Sequence, residues 1–95
     1  PFGRLAAIIV SGPDESDVDE VARRLSRSAP QAHDFKVLGP APAPLALLRG
    51  RHRCRLLVRT TRSVRIQDRL KPWLASVKSP NAVRVQVDID PYSFL

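Results

Sequence analysis

At 95 residues and 43% hydrophobic, with its longest apolar run at Leu5 to Val10, the chain has material for one domain and one core. It lacks the run of about 20 apolar residues that crosses a bilayer, and no charged-then-apolar signal precedes Leu5. Its one cysteine, Cys54, excludes an internal disulfide framework and fits a reducing cytoplasm.

The net charge is +7, and it is unevenly placed. Nine basic residues and one acid lie between Arg49 and Lys71, so that window carries +8 and the remaining residues together carry −1. A basic stripe on a near-neutral body is the footprint of a polyanion binder, with a solvated basic face as the plain alternative. The chain opens on Pro1-Phe2-Gly3 without an initiator methionine, which leads us to expect residues 1–95 to be a single domain cut from a longer polypeptide.

Leu5-Ala6-Ala7-Ile8-Ile9-Val10, closed by Ser11-Gly12-Pro13, predicts a central strand. Ser16 with Asp19 three residues on resembles a capping box, and Val18, Val21, Ala22 and Leu25 then recur at helical spacing. Acids gather at the start of this helix and Arg23, Arg24 and Arg27 at its end, each where the helix dipole favours that sign. A short second strand is expected at Phe35-Lys36-Val37-Leu38, stopped by Gly39-Pro40. Pro40-Ala41-Pro42-Ala43-Pro44 reads as a stiff polyproline connector, and Leu45, Leu47 and Leu48 as tucked against the core before a turn at Arg49-Gly50.

From Arg51 to Thr60 the pattern alternates, with Arg51, Arg53, Arg55 and Arg59 on one face and His52, Cys54, Leu56 and Val58 on the other. With Ser63 as cap, Ile66, Leu70, Trp73, Leu74 and Val77 form one side of a second helix, which Pro72 is expected to kink or restart. Val83, Val85, Val87 and Ile89 alternate with Arg84, Gln86, Asp88 and Asp90 in a last strand. The order βαββαβ predicts an α+β ferredoxin-like sandwich, a four-stranded antiparallel sheet with two helices on one face and the arginines on the open one.

Arginines two apart on a strand stand about 6–7 Å from one another, the scale of a row of phosphates. No aromatic residue lies within that strand, so backbone contact is favoured over base stacking. Trp73 is in register with the apolar stripe and reads as core. His52, Cys54 and His33 have no further ligand pair, and no metal site is expected; Asp88 and Asp90 share a face that could hold a hard cation, but read as structural, either solvated or closing a strand against an arginine. Neither a phosphate-binding loop nor a nucleophile elbow occurs, and the anion loop of the acylphosphatases is missing after the first strand, so no catalysis is expected of these residues.

Val37-Leu38-Gly39-Pro40-Ala41-Pro42-Ala43-Pro44-Leu45, Leu48-Arg49-Gly50-Arg51-His52-Arg53, Val64-Arg65-Ile66-Gln67 and Val87-Asp88-Ile89-Asp90-Pro91 resemble, in order, blocks of the C-terminal domain of the PriA family, the bacterial replication-restart helicases also called primosomal protein N′. Pro1-Phe2 resembles the end of the element that leaves the family's helicase core, and Leu95 its natural end. The resemblance implies a fold like ribosomal protein S10 and a monomeric, cytoplasmic, nucleoid-associated protein. It implies a domain that packs on a 3′→5′ helicase core and helps bind branched or single-stranded DNA at stalled forks. ATP, magnesium and zinc would belong to the parent chain and no cofactor to this part. It further implies a pocket for the acidic C-terminal tail of single-stranded DNA-binding protein, to which Gln67 would contribute, with Arg62 beside the position (Ser63) where the family has an arginine. The expected DNA contacts are Arg49, Arg51, Arg53, Arg55, Arg59, Arg62 and Arg65.

Overall fold

The computed structural model describes residues 3–90; Pro1-Phe2 and the segment from Pro91 to Leu95, which carry part of the resemblance above, lie outside the described residues. Six elements follow in the expected order: β1 (Arg4–Gly12), α1 (Glu15–Ser28), β2 (Phe35–Leu48), β3 (Arg51–Thr60), α2 (Ile66–Ala75) and β4 (Arg84–Ile89). The strands form one antiparallel sheet in the order β2-β3-β1-β4, the ferredoxin-like arrangement that the βαββαβ pattern predicts.

The core lies between the sheet and the helices. Ala6, Ile8 and Val10 of β1, Leu56 and Val58 of β3, and Phe35 and Val37 of β2 meet Val18, Val21, Ala22 and Leu25 of α1 and Ile66, Leu70 and Trp73 of α2. Phe35 and Trp73 pack edge to face, their centroids 6.5 Å apart and their planes at 87°. The expected burial of Trp73 is observed, and its Nε1 donates to the Leu25 carbonyl at 3.0 Å, so its polar edge is satisfied inside the core.

Local chemistry differs from expectation at several points. The α1 cap is Asp14, whose carboxylate accepts from the amides of Ser16 and Asp17, two residues ahead of the capping box expected at Ser16. Ser63 caps nothing; its hydroxyl pairs with that of Thr61, and α2 begins after Arg65 without a side-chain cap. Pro72 sits inside α2, which runs unbroken from Ile66 to Ala75. The proline removes only the amide that would reach the Asp68 carbonyl, and both residues face solvent.

The largest departure concerns the proline-rich segment. It is part of β2, which continues to Leu48 with two register shifts, where a connector was expected. Because β2 is an edge strand, one row of its amides has no ladder partner, and proline costs no hydrogen bond there. Gln31 covers the outer edge at Val37, donating to its carbonyl and accepting from its amide, both at 3.0 Å. The β2–β3 hairpin thereby carries Leu45, Leu47 and Leu48 away from the core in which they were expected, leaving them 68%, 61% and 40% exposed. Arg49 and Gly50, both at positive φ, form its two-residue turn; this conformation is the one a tight hairpin needs and the reason for glycine there.

Candidate nucleic-acid interface

Residues paired across antiparallel strands share a face, so the register defines what the open side of the sheet presents. One cross-strand row holds Arg53, Ser11 and Arg84; the next holds Arg55, Ile9 and Gln86; then come Leu57, Ala7 and Asp88, and finally Arg59 with Leu5. Lys36 and Leu38 extend the last two rows on β2. Leu57 therefore interrupts the arginine series of β3, separating Arg51, Arg53 and Arg55 from Arg59.

At the hairpin end, Arg49, Arg51, Arg53 and Arg84 surround a cleft of about 230 Å³ together with Ser11, Leu48 and Gln86. Ser11 is the small residue between Arg53 and Arg84 and lets the two flank a depression. Adjacent strands lie about 4.8 Å apart, which puts the backbones carrying Arg53 and Arg84 nearly 10 Å apart, roughly the width of one sugar-phosphate strand. No acidic residue lines the cleft.

Two of its arginines are held by backbone oxygens. Arg51 Nη2 donates to the carbonyls of Ser11 and Ala82, at 2.9 and 3.1 Å, and to Ser11 Oγ at 3.3 Å. Arg53 Nη1 donates to the carbonyls of Pro44 and Leu45, at 2.7 and 3.2 Å. Each is fixed through one terminal nitrogen of a guanidinium that has five N–H donors, which leaves a pre-positioned cation with donors to spare. The side chains of Arg49 and Arg84 have neither an ion pair nor a hydrogen bond within residues 3–90. Arg55 and Arg59 are half-buried and have partners in the fold.

The remaining expected site residues lie at the far end of β3, about 30 Å from Arg51 by strand length. Arg62 is exposed in the loop after β3, whose backbone is approached so closely by Gly3 that a Cβ on that glycine would stand 2.2 Å from the Arg62 nitrogen. Arg65 is exposed and pairs with Asp68 at 3.3 Å, and Gln67 is exposed in the first turn of α2. The structure thus gathers Arg49, Arg51 and Arg53, sets Arg55 beside them, and leaves Arg59, Arg62, Arg65 and Gln67 as a separate group. Arg84 was missed as a contact residue. Its signal was its place opposite Val83 and Val85 in the alternation of the last strand, although only the sheet order brings it beside Arg53.

Three of the other polar residues set aside from the sequence, Asp90, His52 and Cys54, have structural partners. Asp90 closes β4 against β1, accepting from the Leu5 amide at 2.9 Å and pairing with Arg4 at 3.2 Å. His52 and Cys54 lie on the helix side as expected, His52 Nδ1 standing 3.8 Å from Glu15 and Cys54 Sγ donating to Asp19 at 3.4 Å. Burial, then the hydrogen bond and negative charge of Asp19, push the Cys54 thiol up to about 11. Among the described residues no helix is long and apolar enough to cross a membrane.

Comparison with known proteins follows the same path as the residue blocks. A family model described as the primosomal protein N C-terminal domain matches residues 1–92. The chain is 40% identical to the replication restart protein PriA of Rickettsia felis, 39% to that of Rickettsia conorii and 37% to that of Rickettsia prowazekii. Each match covers 99% of this chain and 14% of the relative, so the chain spans about one seventh of the length of these proteins. With an ordered match over nearly every residue and a sheet of the expected topology, the chain belongs to the family of primosomal protein N C-terminal domains.

Proposed function

We propose that this domain serves replication restart by holding the sugar-phosphate backbone of DNA on the open face of its sheet. The observation that carries the reading is the cleft in which Arg49, Arg51, Arg53 and Arg84 converge with no acid among them. Two of these cations are pre-oriented by carbonyls, so little side-chain entropy is lost when a phosphate arrives. Arg55 and Arg59 extend the positive potential along β3. The face has no aromatic side chain among the described residues, and the contact is therefore to backbone, tolerant of sequence. The domain is non-catalytic and acts as a monomer in the bacterial cytoplasm, next to a helicase core elsewhere in its parent chain. ATP, magnesium and zinc would be held there.

A salt titration tests this. The DNA affinity of the 95-residue chain should fall linearly on a log–log plot as salt rises, with a slope of about −0.9 per phosphate contacted on duplex DNA. Arg49→Ala and Arg84→Ala, which remove no internal bond, should each reduce that slope by about one. Affinity independent of salt, or unaltered when Arg51, Arg53 and Arg55 are all replaced by alanine, removes the reading.

A second surface favours a protein partner. Arg62 and Gln67 are exposed near the start of α2, their side chains with neither a hydrogen bond nor an ion pair within residues 3–90, and Gly3 braces the loop that carries Arg62. We infer that they help dock the acidic C-terminal tail of single-stranded DNA-binding protein, in a pocket completed by the helicase core. Calorimetry on the full parent chain with an acidic, phenylalanine-ended peptide should show binding that Arg62→Ala and Gln67→Ala weaken; equal binding by all three proteins overturns it.

A further inference from the structure

Among the described residues three that are not glycine have positive φ, and two have a local reason. Arg49 belongs to the hairpin turn, and Asp90 is held by the Leu5 amide and Arg4. Leu45, at φ 55°, belongs to no such turn, and leucine is rarely found in the left-handed region. Between the pairs Pro42↔Cys54 and Leu47↔His52, β2 advances five residues while β3 advances two, so the segment around Leu45 bulges out of the ladder. Arg53 holds that bulge by its grip on the carbonyls of Pro44 and Leu45. The product is a leucine 68% exposed whose carbonyl is held by Arg53, an arginine of the cleft, with Leu48 in the cleft wall.

We propose that Leu45, supported by Leu48, is a wedge that seats on an exposed base face while the adjoining phosphates lie in the arginine cleft. The inference rests on the DNA-binding reading above. A protein-docking patch is apolar at its centre and depleted of charge there, whereas Leu48 lines the cleft with Arg49, Arg51 and Arg53, and Leu45 stands on the bulge that Arg53 holds. Nucleic acids pair a charged backbone with apolar base faces at this spacing, and leucine is among the side chains that enter an unstacked step. In a continuous duplex the base faces are covered by their neighbours. A gap uncovers them, so the wedge makes the domain prefer interrupted DNA, a distinction that phosphate contacts alone do not draw.

The test compares a duplex carrying a central single-nucleotide gap, with 2-aminopurine beside the gap, against the same duplex without the gap. The 95-residue chain should bind the gapped DNA about fivefold more tightly, the gain expected from covering one largely exposed leucine. Leu45→Ser should abolish the preference and the accompanying 2-aminopurine fluorescence change, with affinity for the intact duplex and its salt slope retained. Leu47→Ser is the control, because Leu47 is also exposed but pairs with His52 on the helix side of the sheet. No preference in the unsubstituted 95-residue chain, a preference that survives Leu45→Ser, or equal loss in Leu47→Ser overturns the wedge, leaves the arginine reading standing and gives the apolar tip to a protein partner. Failure of the unsubstituted chain to bind either DNA overturns both.

Discussion

Arg51 reaches across the sheet to Ser11, donating from one terminal nitrogen to its carbonyl at 2.9 Å and to its hydroxyl at 3.3 Å. The same nitrogen holds the Ala82 carbonyl at 3.1 Å, so Arg51 ties β3 to the end of β1 and to the loop entering β4. Arg84, on the other side of Ser11, has no such bond. Arg51→Ala should therefore lower stability by about 1–2 kcal/mol as well as weaken DNA binding. Arg84→Ala should weaken binding while changing stability by less than about 0.5 kcal/mol. Denaturant unfolding beside the salt titration separates the two effects.

Trp73 should be the most sensitive core position on α2. Trp73→Ala removes the edge-to-face partner of Phe35 and the donor to Leu25, and should cost about 3–5 kcal/mol, a large part of what a domain of this size has. Trp73→Phe keeps most of the apolar area but leaves the Leu25 carbonyl only the longer bond from the Ser28 hydroxyl, for about 1 kcal/mol. Equal losses for the two variants would show that the ring contributes nothing beyond its hydrogen bond, and an unchanged stability in Trp73→Phe that the bond contributes nothing.

The cap of α1 should make part of the stability depend on acid. Hydrogen bonds from the Ser16 hydroxyl and the Asp17 amide hold the Asp14 carboxyl below its ordinary value of 3.8. A carboxyl lowered in the folded state binds fewer protons there, so its stabilisation is complete above the unfolded value and is lost as pH falls through the folded one. Asp14→Ala should thus lower Tm by several degrees near neutral pH, and the gap between the unsubstituted chain and the variant should close as pH falls through the folded value. A gap that is constant with pH overturns this account.

Cys54 should react slowly with iodoacetamide at mildly alkaline pH, because burial and then Asp19 keep its thiol protonated up to about 11. Asp19→Asn removes the negative charge 3.4 Å from the sulfur and should speed alkylation. A rate equal to that of a free thiol in the parent chain would contradict the packing of Cys54 against α1.

How much was legible follows from the range of each signal. Val18, Val21, Ala22 and Leu25 identify α1, and the alternation from Arg51 to Thr60 identifies both faces of β3, because helical and strand periods are written within a few residues. The basic window, the absence of aromatics from β3 and the family blocks are likewise properties of the sequence alone. What the prolines do is not: Pro40, Pro42 and Pro44 read as a connector until the sheet order makes β2 an edge, where their missing amides cost nothing. Leu45, Leu47 and Leu48 are apolar enough for a core, and only their place at the end of the β2–β3 hairpin puts them in solvent. The cleft is tertiary in the same sense. Arg53 and Arg84 are thirty-one residues apart and face each other across Ser11 because β1 pairs with both their strands, a relationship no local pattern encodes. The sequence by itself determined the elements, their faces and the sign of the charge; the tertiary structure decided which arginines converge and which leucine stands beside them.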